Sequence, residues 1–217
     1  MILPALILVT SALALQGGAN PVAIDDDQVR VLVVTDQPGQ KSALHQHERN
    51  RVMIYLDAGT MRLTYEDGTH KDLSWKAGEV RWDPAGGKHT SENTGRTPFR
   101  IVEIELKRPA GGAVKYPALD PPKVDPKHYK VELENGQVRV IRARYGPRDS
   151  APMHEHALPR IVVNLTDQAV RMTLPDGSTR ETRNPAGTVA AAGAAKHSEV
   201  NLNDRPFEVL VVELKTK

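Results

Sequence analysis

The sequence is written twice, and that repeat constrains the fold more than any other feature. Val29-Arg30-Val31-Leu32 returns as Val138-Arg139-Val140-Ile141, 109 residues further on. The same offset carries His45-Gln46-His47 onto His154-Glu155-His156, Arg51 onto Arg160, Asp67-Gly68 onto Asp176-Gly177 and Ala77-Gly78 onto Ala186-Gly187. After a one-residue deletion the offset is 108, and it takes Lys88-His89 to Lys196-His197, Asn93 to Asn201 and Glu105-Leu106-Lys107 to Glu213-Leu214-Lys215. One offset held over a domain length marks a duplication. Two units of about ninety residues each bury only a modest core, so each gains from packing on the other.

Each copy reads as short β-branched or apolar runs: Val29–Thr35, Val52–Leu56, Thr60–Tyr65, Val80–Trp82 and Phe99–Leu106. Pro38-Gly39, Asp57-Ala58-Gly59, Asp67-Gly68, Ala77-Gly78 and Gly86-Gly87 punctuate them,. No window carries a 3.6-residue period, so both halves are expected to be all-β, a sandwich or barrel. Asp67-Gly68 and Asp176-Gly177 are hairpin signals, expected as type I′ turns with φ > 0 at both central residues. Between the copies, residues 108–127 hold five prolines and a Gly-Gly pair, which reads as an extended linker,. The expected division is 22–107 for the first domain, 108–127 for the linker and 128–217 for the second domain.

The apolar, uncharged stretch Met1–Ala14, with small residues following to Ala19, predicts a cleaved export signal over residues 1–19 and a periplasmic or secreted protein,. It is short of the ~20 apolar residues of a membrane span, and after cleavage no stable membrane association is expected. The sequence has no cysteine, which excludes disulfides, thiolate metal sites, Cys nucleophiles and a lipoprotein anchor,. A net charge of +2 without a basic stripe argues against a nucleic-acid partner,.

Six of the eight histidines fall at repeated positions: His45, His47 and His89, then His154, His156 and His197. Residues i and i+2 of a strand share a face, so His45 and His47 aim at one point, as do His154 and His156. A third imidazole from a later hairpin closes the set. Three neutral imidazoles suit one divalent ion, Fe, Mn, Zn, Ni or Cu, with positions left open.

The first copy also reads Gly39, five residues, His45-x-His47, and then Gly78, five residues, Pro84-x-Gly86-x-x-His89, three residues, Asn93. This resembles the two signature motifs of the cupin superfamily. The second copy keeps His154, His156, Gly187, His197 and Asn201 but has Ala192-Gly193-Ala194-Ala195 in place of the Pro-x-Gly turn. The resemblance implies two tandem cupin double-stranded β-helix (jelly-roll) barrels, a bicupin, with a metal at the mouth of each.

Cupins usually place a glutamate ligand shortly after the second histidine; here Arg51 and Arg160 stand there. The family pattern points both arginines into the barrel. Either Arg51 anchors an anionic ligand through its bidentate fork, or the metal is weak or absent. A three-histidine site without a carboxylate is similar to that of some cupin dioxygenases. The leading expectation is therefore a metal-binding bicupin acting on a small organic anion, with dioxygenase-like chemistry to test first. The alternative is a non-catalytic module that binds a small ligand or a metal. Monomer and homodimer are both compatible, and the first copy is the expected working site.

The remaining polar and aromatic residues carry blander expectations. Trp82 reads as core, and Asn93 and Asn201 as turn caps. His70 and His128 read as solvated. On the last strand of the first copy, Val102, Ile104 and Leu106 read as the core face, which puts Glu103 and Glu105 outside.

Overall fold

The computed structural model describes residues 21–216. The export signal expected over residues 1–19 lies outside the described residues. The first half contains nine strands: β1 (Val22–Asp25), β2 (Val29–Asp36), β3 (His45–His47), β4 (Arg51–Tyr55), β5 (Gly59–Tyr65), β6 (His70–Trp75), β7 (Val80–Asp83), β8 (Gly86–Asn93) and β9 (Phe99–Leu106). A single helical turn, α1 (Pro121–Val124), interrupts the linker that was expected to be extended throughout. Nine more strands follow: β10 (Tyr129–Glu134), β11 (Val138–Tyr145), β12 (Ser150–His156), β13 (Arg160–Asn164), β14 (Gln168–Thr173), β15 (Thr179–Asn184), β16 (Val189–Ala192), β17 (Ala195–Asn201) and β18 (Phe207–Leu214).

Each half folds a five-stranded sheet over a four-stranded one. The orders are β1-β2-β9-β4-β7 with β3-β8-β5-β6, then β10-β11-β18-β13-β16 with β12-β17-β14-β15. All named pairings are antiparallel, and the result is two cupin-type jelly-roll barrels. No helix of the described residues is long and apolar enough to cross a membrane.

The strand runs foreseen in the sequence are present, but the hairpins turn differently. In the β5–β6 hairpin, the Gly68 N–H donates to the Tyr65 carbonyl (3.0 Å) and only Gly68 has positive φ (+82°). Asp67 keeps a negative φ, and its carboxylate accepts from the Thr69 N–H and hydroxyl at 2.9 and 2.7 Å. This is a type I turn closed by a left-handed glycine, and residues 174–178 repeat it,. The side-chain bonds of Asp67 offer the chain a cheaper turn than forcing two residues into positive φ. Gly86-Gly87, read as a break, instead opens β8.

The largest apolar cluster lies between the barrels. Val29, Val31, Val52, Ile54, Val102, Ile104 and Leu106 pack with Val138, Val140, Ile161, Val163, Leu210, Val212 and Leu214, all nearly or fully buried. The outer faces of the two five-stranded sheets are therefore pressed together. Gly78 lies beside Leu165, and Gly187 lies beside Leu56. Gly78 and Gly187 are repeat equivalents, as are Leu56 and Leu165, so the contact is reciprocal, as across a two-fold axis.

This packing reverses the expected faces of β9. Val102, Ile104 and Leu106 meet the second barrel, whereas Glu103 points into its own barrel and bonds Arg51. Glu105 shares that inward parity and lies near Arg30 and Arg49. Each five-stranded sheet has two buried faces, so apolarity alone does not say which one lines the barrel. Trp82, read as core, is half-buried against the interbarrel core and also among the residues that line the first barrel's cavity. Inside the first barrel, Trp75 stacks on Tyr55 (4.5 Å between centroids) and meets Phe99 edge-on at 5.0 Å.

Candidate metal centres

The repeated histidines converge in both barrels. In the first, β3 supplies His45 and His47, and β8, its partner strand, supplies His89 directly across from His45. Ring centroids are 4.6 to 5.5 Å apart. In the second, β12 supplies His154 and His156, and β17 supplies His197 across from His154, with centroids 4.5 to 5.7 Å apart. Within each set, a ligand atom from every histidine lies within 4.8 Å of the others.

Hydrogen bonds at Nδ1 fix which nitrogen faces the centre. His45 Nδ1 lies 2.9 Å from the Ala43 carbonyl, and His89 Nδ1 2.9 Å from the Gly87 carbonyl. His154 Nδ1 meets the Pro152 carbonyl at 2.9 Å. His156 Nδ1 meets the Glu213 carboxylate at 3.1 Å. A carbonyl or carboxylate oxygen only accepts, so Nδ1 carries the proton and a neutral ring leaves its Nε2 lone pair free. Gly87, at φ +57°, turns its carbonyl under His89 in a conformation few side chains tolerate,.

Burial disfavours the charged form of His47, His89, His154 and His156. It is the main cause that lowers His47 to about 3, with Arg51 and the neighbouring histidines adding to it. His154 falls to about 4, again chiefly by burial. His89 and His156 are lowered in the same way. Three imidazoles converging within 4.8 Å, most of them bonded at Nδ1, are the kind of donor set that a borderline divalent ion takes, so the residues present fit a metal,.

Beyond the histidines, the two barrels differ. The first encloses a cavity of about 800 Å³, lined by the three histidines with Arg51, Asp83, Glu103, Tyr55 and Leu32 among others. Arg51 points inward as expected, but it is already engaged: Nη1 donates to Glu103 at 3.2 Å, and Nη2 to Asp83. These carboxylates offset the cationic charge that would oppose a metal ion. Burial pushes the Glu103 carboxyl above its ordinary value, with Arg51 pulling the other way.

The second barrel is packed with Tyr129, Tyr145, Phe207, Val209 and Val211. Its Arg160 donates to the Gly193 carbonyl. Glu199 lies 3.2 Å from His197 Nε2, and Tyr129 Oη lies 3.1 Å from His154 Nε2. The sequence reading missed Glu199, Glu213, Tyr129, Tyr145, Asp83 and Glu103. Only Glu199 carried a local signal, standing two residues after His197 on the same strand face.

Asn93 and Asn201 do cap turns: Asn93 Oδ1 accepts from the Gly95 N–H, and Asn201 Oδ1 from the Asn203 N–H. His70 is exposed, as expected. His128 is not: it is 4% exposed, held by Asp125 (2.6 Å) and Asp149 (3.0 Å), and stacked on Tyr145. The linker folds back here, so a position that looks like a chain connection becomes an anchor.

With this geometry established, comparison with known proteins is informative. The sequence matches the family described as "Cupin domain" over residues 32–105. The first barrel is a cupin domain. The whole chain has the duplicated cupin fold. The Mn(II)-containing oxalate decarboxylase of Bacillus subtilis is similar at a TM-score of 0.60 and 13% identity, covering 88% of this chain and 70% of that one. AerE from Microcystis aeruginosa is similar at a TM-score of 0.60 and 14% identity, covering 87% and 88%. At such identities the likeness is one of fold. Comparison with curated protein sequences returns no match.

Proposed function

We propose that the first cupin barrel is the working site of a metal-dependent, dioxygenase-like enzyme acting on a small organic anion. The observation that carries this reading is the convergence of His45, His47 and His89, two of the rings pinned at Nδ1, on a cavity of about 800 Å³. His45, His47 and His89 would hold one divalent first-row ion. Such an ion supplies a Lewis-acidic centre with positions open to water or a chelating substrate.

The protein's own groups would then bind and orient. Arg51 is the anion anchor, and a substrate carboxylate takes the place of Asp83, the more exposed of its two partners, while Glu103 holds the guanidinium from behind. The stacked Tyr55–Trp75 pair and Leu32 line the cavity and supply apolar contact. Export to the periplasm or medium is part of the proposal and rests on residues 1–19.

The test is elemental analysis of the protein recovered from its native compartment, joined to oxygen uptake with a panel of small carboxylates. Stoichiometric iron, manganese or another first-row metal, lost from the first barrel in His45→Ala, supports the reading. Unchanged metal content in that variant overturns the ligand assignment. The existing pairing of Arg51 favours a second reading, a non-catalytic module. Metal and carboxylate binding without turnover would select it.

A further inference from the structure

We infer that the first cavity is built for a carboxylate carrying an apolar body of aromatic-ring size, and not for a short diacid such as oxalate. This rests on Arg51 being the anion anchor and names the substrate class of that site. β4 sets the arrangement, because Arg51, Met53 and Tyr55 fall on one face of the strand and all line the cavity. Four residues of extended strand separate Arg51 from Tyr55 by about 13 Å. The facing sheet repeats the polarity. His89 stands across from Tyr65, and Met61 across from Asn93, four residues further along β8. Leu73, paired with Met61, and Trp75, paired with Gly59, continue that apolar end on β6. One end of the cavity is histidine and guanidinium; the other is thioether, alkyl and aromatic surface.

The second barrel shows that the fold does not require this apolar end. Tyr55, Gly59 and Trp75 have Asn164, Gln168 and Asn184 as their counterparts 109 residues later. There the amides bond to one another: Asn164 Nδ2 and Asn184 Nδ2 both donate to Gln168 Oε1, at 3.2 and 3.1 Å. In the first barrel Gly59 leaves room instead. A Cβ on it would come within 2.7 Å of Trp75 Cζ2 and 2.8 Å of Phe99 Cδ1, so the missing side chain lets the indole pack on both Tyr55 and Phe99. Leu73 likewise has Thr182 as its counterpart. Two copies of one barrel, one with an amide cluster and one with an aromatic wall on a cavity, differ in what they can bind and not in how they fold.

Size and the acid end agree. At about 800 Å³ the cavity lies in the upper part of the ~300–1,000 Å³ range of sites that enclose drug-sized ligands,. A two-carbon diacid would leave most of it to water. Of the Arg51 donors, Nη1 goes to Glu103 and Nη2 to Asp83, while Nε is buried without a partner. Nε and Nη2 share one edge of the guanidinium, so a carboxylate that displaces Asp83 gains a two-bond fork there. That fork holds the acid end beside the histidines and leaves the rest of the molecule over Met53 and Met61.

Calorimetry on the full-length protein tests this with 5-phenylpentanoate, pentanoate and oxalate. The first two share an acid end and differ by the ring. Wild type is expected to bind 5-phenylpentanoate about tenfold or more tighter than pentanoate, as burial of a ring's apolar surface implies, and tighter than oxalate. Leu73→Thr and Trp75→Asn, which install the second barrel's residues, are expected to shrink that margin while leaving pentanoate affinity nearly unchanged. The wild-type comparison stands even where Trp75→Asn does not fold. Trp82→Phe leaves Trp75 as the one tryptophan, and its emission should shift with 5-phenylpentanoate and not with pentanoate. Pentanoate or oxalate bound as tightly as 5-phenylpentanoate would overturn the substrate class and leave the anion anchor standing, as would an unchanged margin in Leu73→Thr. Binding of none of the three acids would overturn the substrate class and the anion anchor together.

Discussion

At the scale of single residues, the nitrogen facing away from each centre decides what the other nitrogen can do. Backbone carbonyls of Ala43, Gly87 and Pro152 and the Glu213 carboxylate take the Nδ1 protons, and burial disfavours a second proton on His89, His154 and His156. That has a pH consequence for the metal-free protein. His154 is fully buried with its value lowered from 6.5 to about 4, so the unfolded chain binds its proton first as pH falls. Stability is complete above about pH 6.5 and is lost between there and pH 4, by roughly 3 kcal/mol from His154 alone at ~1.4 kcal/mol per pH unit. His47, lowered to about 3, acts in the same direction. Thermal melts of EDTA-treated protein should fall steadily from pH 7 to pH 4, and an unchanged midpoint would contradict the buried neutral state. Arg51 gives a second residue-scale expectation. Arg51→Gln should weaken binding of a small carboxylate about ten- to a hundredfold, as loss of a charge-assisted hydrogen bond worth ~1.5–3 kcal/mol implies, measured by calorimetry.

At the scale of elements, the two faces of one strand serve two different cores. On β9, Phe99, Ile101 and Glu103 look into the barrel, while Val102, Ile104 and Leu106 look out onto the second barrel. Ile104 is fully buried, so Ile104→Ala should cost about 2–5 kcal/mol in urea unfolding,. Trp75 on β6 is the corresponding interior case. Its ring is stacked on Tyr55, and its indole N–H donates to the Asp57 carbonyl at 2.9 Å. Trp75→Ala should cost about 3–5 kcal/mol and enlarge the cavity. The strand pattern was legible because β-branched runs and turn residues alternate along both copies. The facing of β9 was not: its apolar and acidic residues do alternate, but the apolar face meets the second barrel while Glu103 is buried inside on Arg51,. β6 was also hidden: His70, Lys71 and Asp72 are exposed and leave little apolar period to read.

At the scale of the whole molecule, duplication has internalised a two-fold interface. Reciprocal contacts, Gly78 with Leu165 and Gly187 with Leu56, join the barrels through their broad sheets, and Asn50 reaches Gln137 at 2.6 Å across the same seam. Residues 22–107 expressed alone would expose Val29, Val31, Val52, Ile54, Val102 and Ile104 as one apolar patch,. Size-exclusion chromatography should find that fragment dimeric or aggregated, and a stable monomer would contradict this account of the interface. The linker starts with Arg108 paired to Asp27 of the first barrel and then folds onto the second. It is tied down by His128 between Asp125 and Asp149, and by Asp120 on Arg139.

The sequence by itself determined the duplication, the all-β barrels and both histidine sets, because repeat offset, two-residue strand parity and turn chemistry are local properties of a chain. It also indicated that Arg51 and Arg160 replace the usual cupin carboxylate. Tertiary structure alone decided what those arginines meet: Asp83 and Glu103 in one barrel, a backbone carbonyl in the other. It decided, too, that one barrel stays hollow while Tyr129 and Tyr145 fill the other, and that Glu199 turns toward His197. These outcomes depend on which residues distant strands bring within a few ångströms, and no periodicity along one strand encodes that distance.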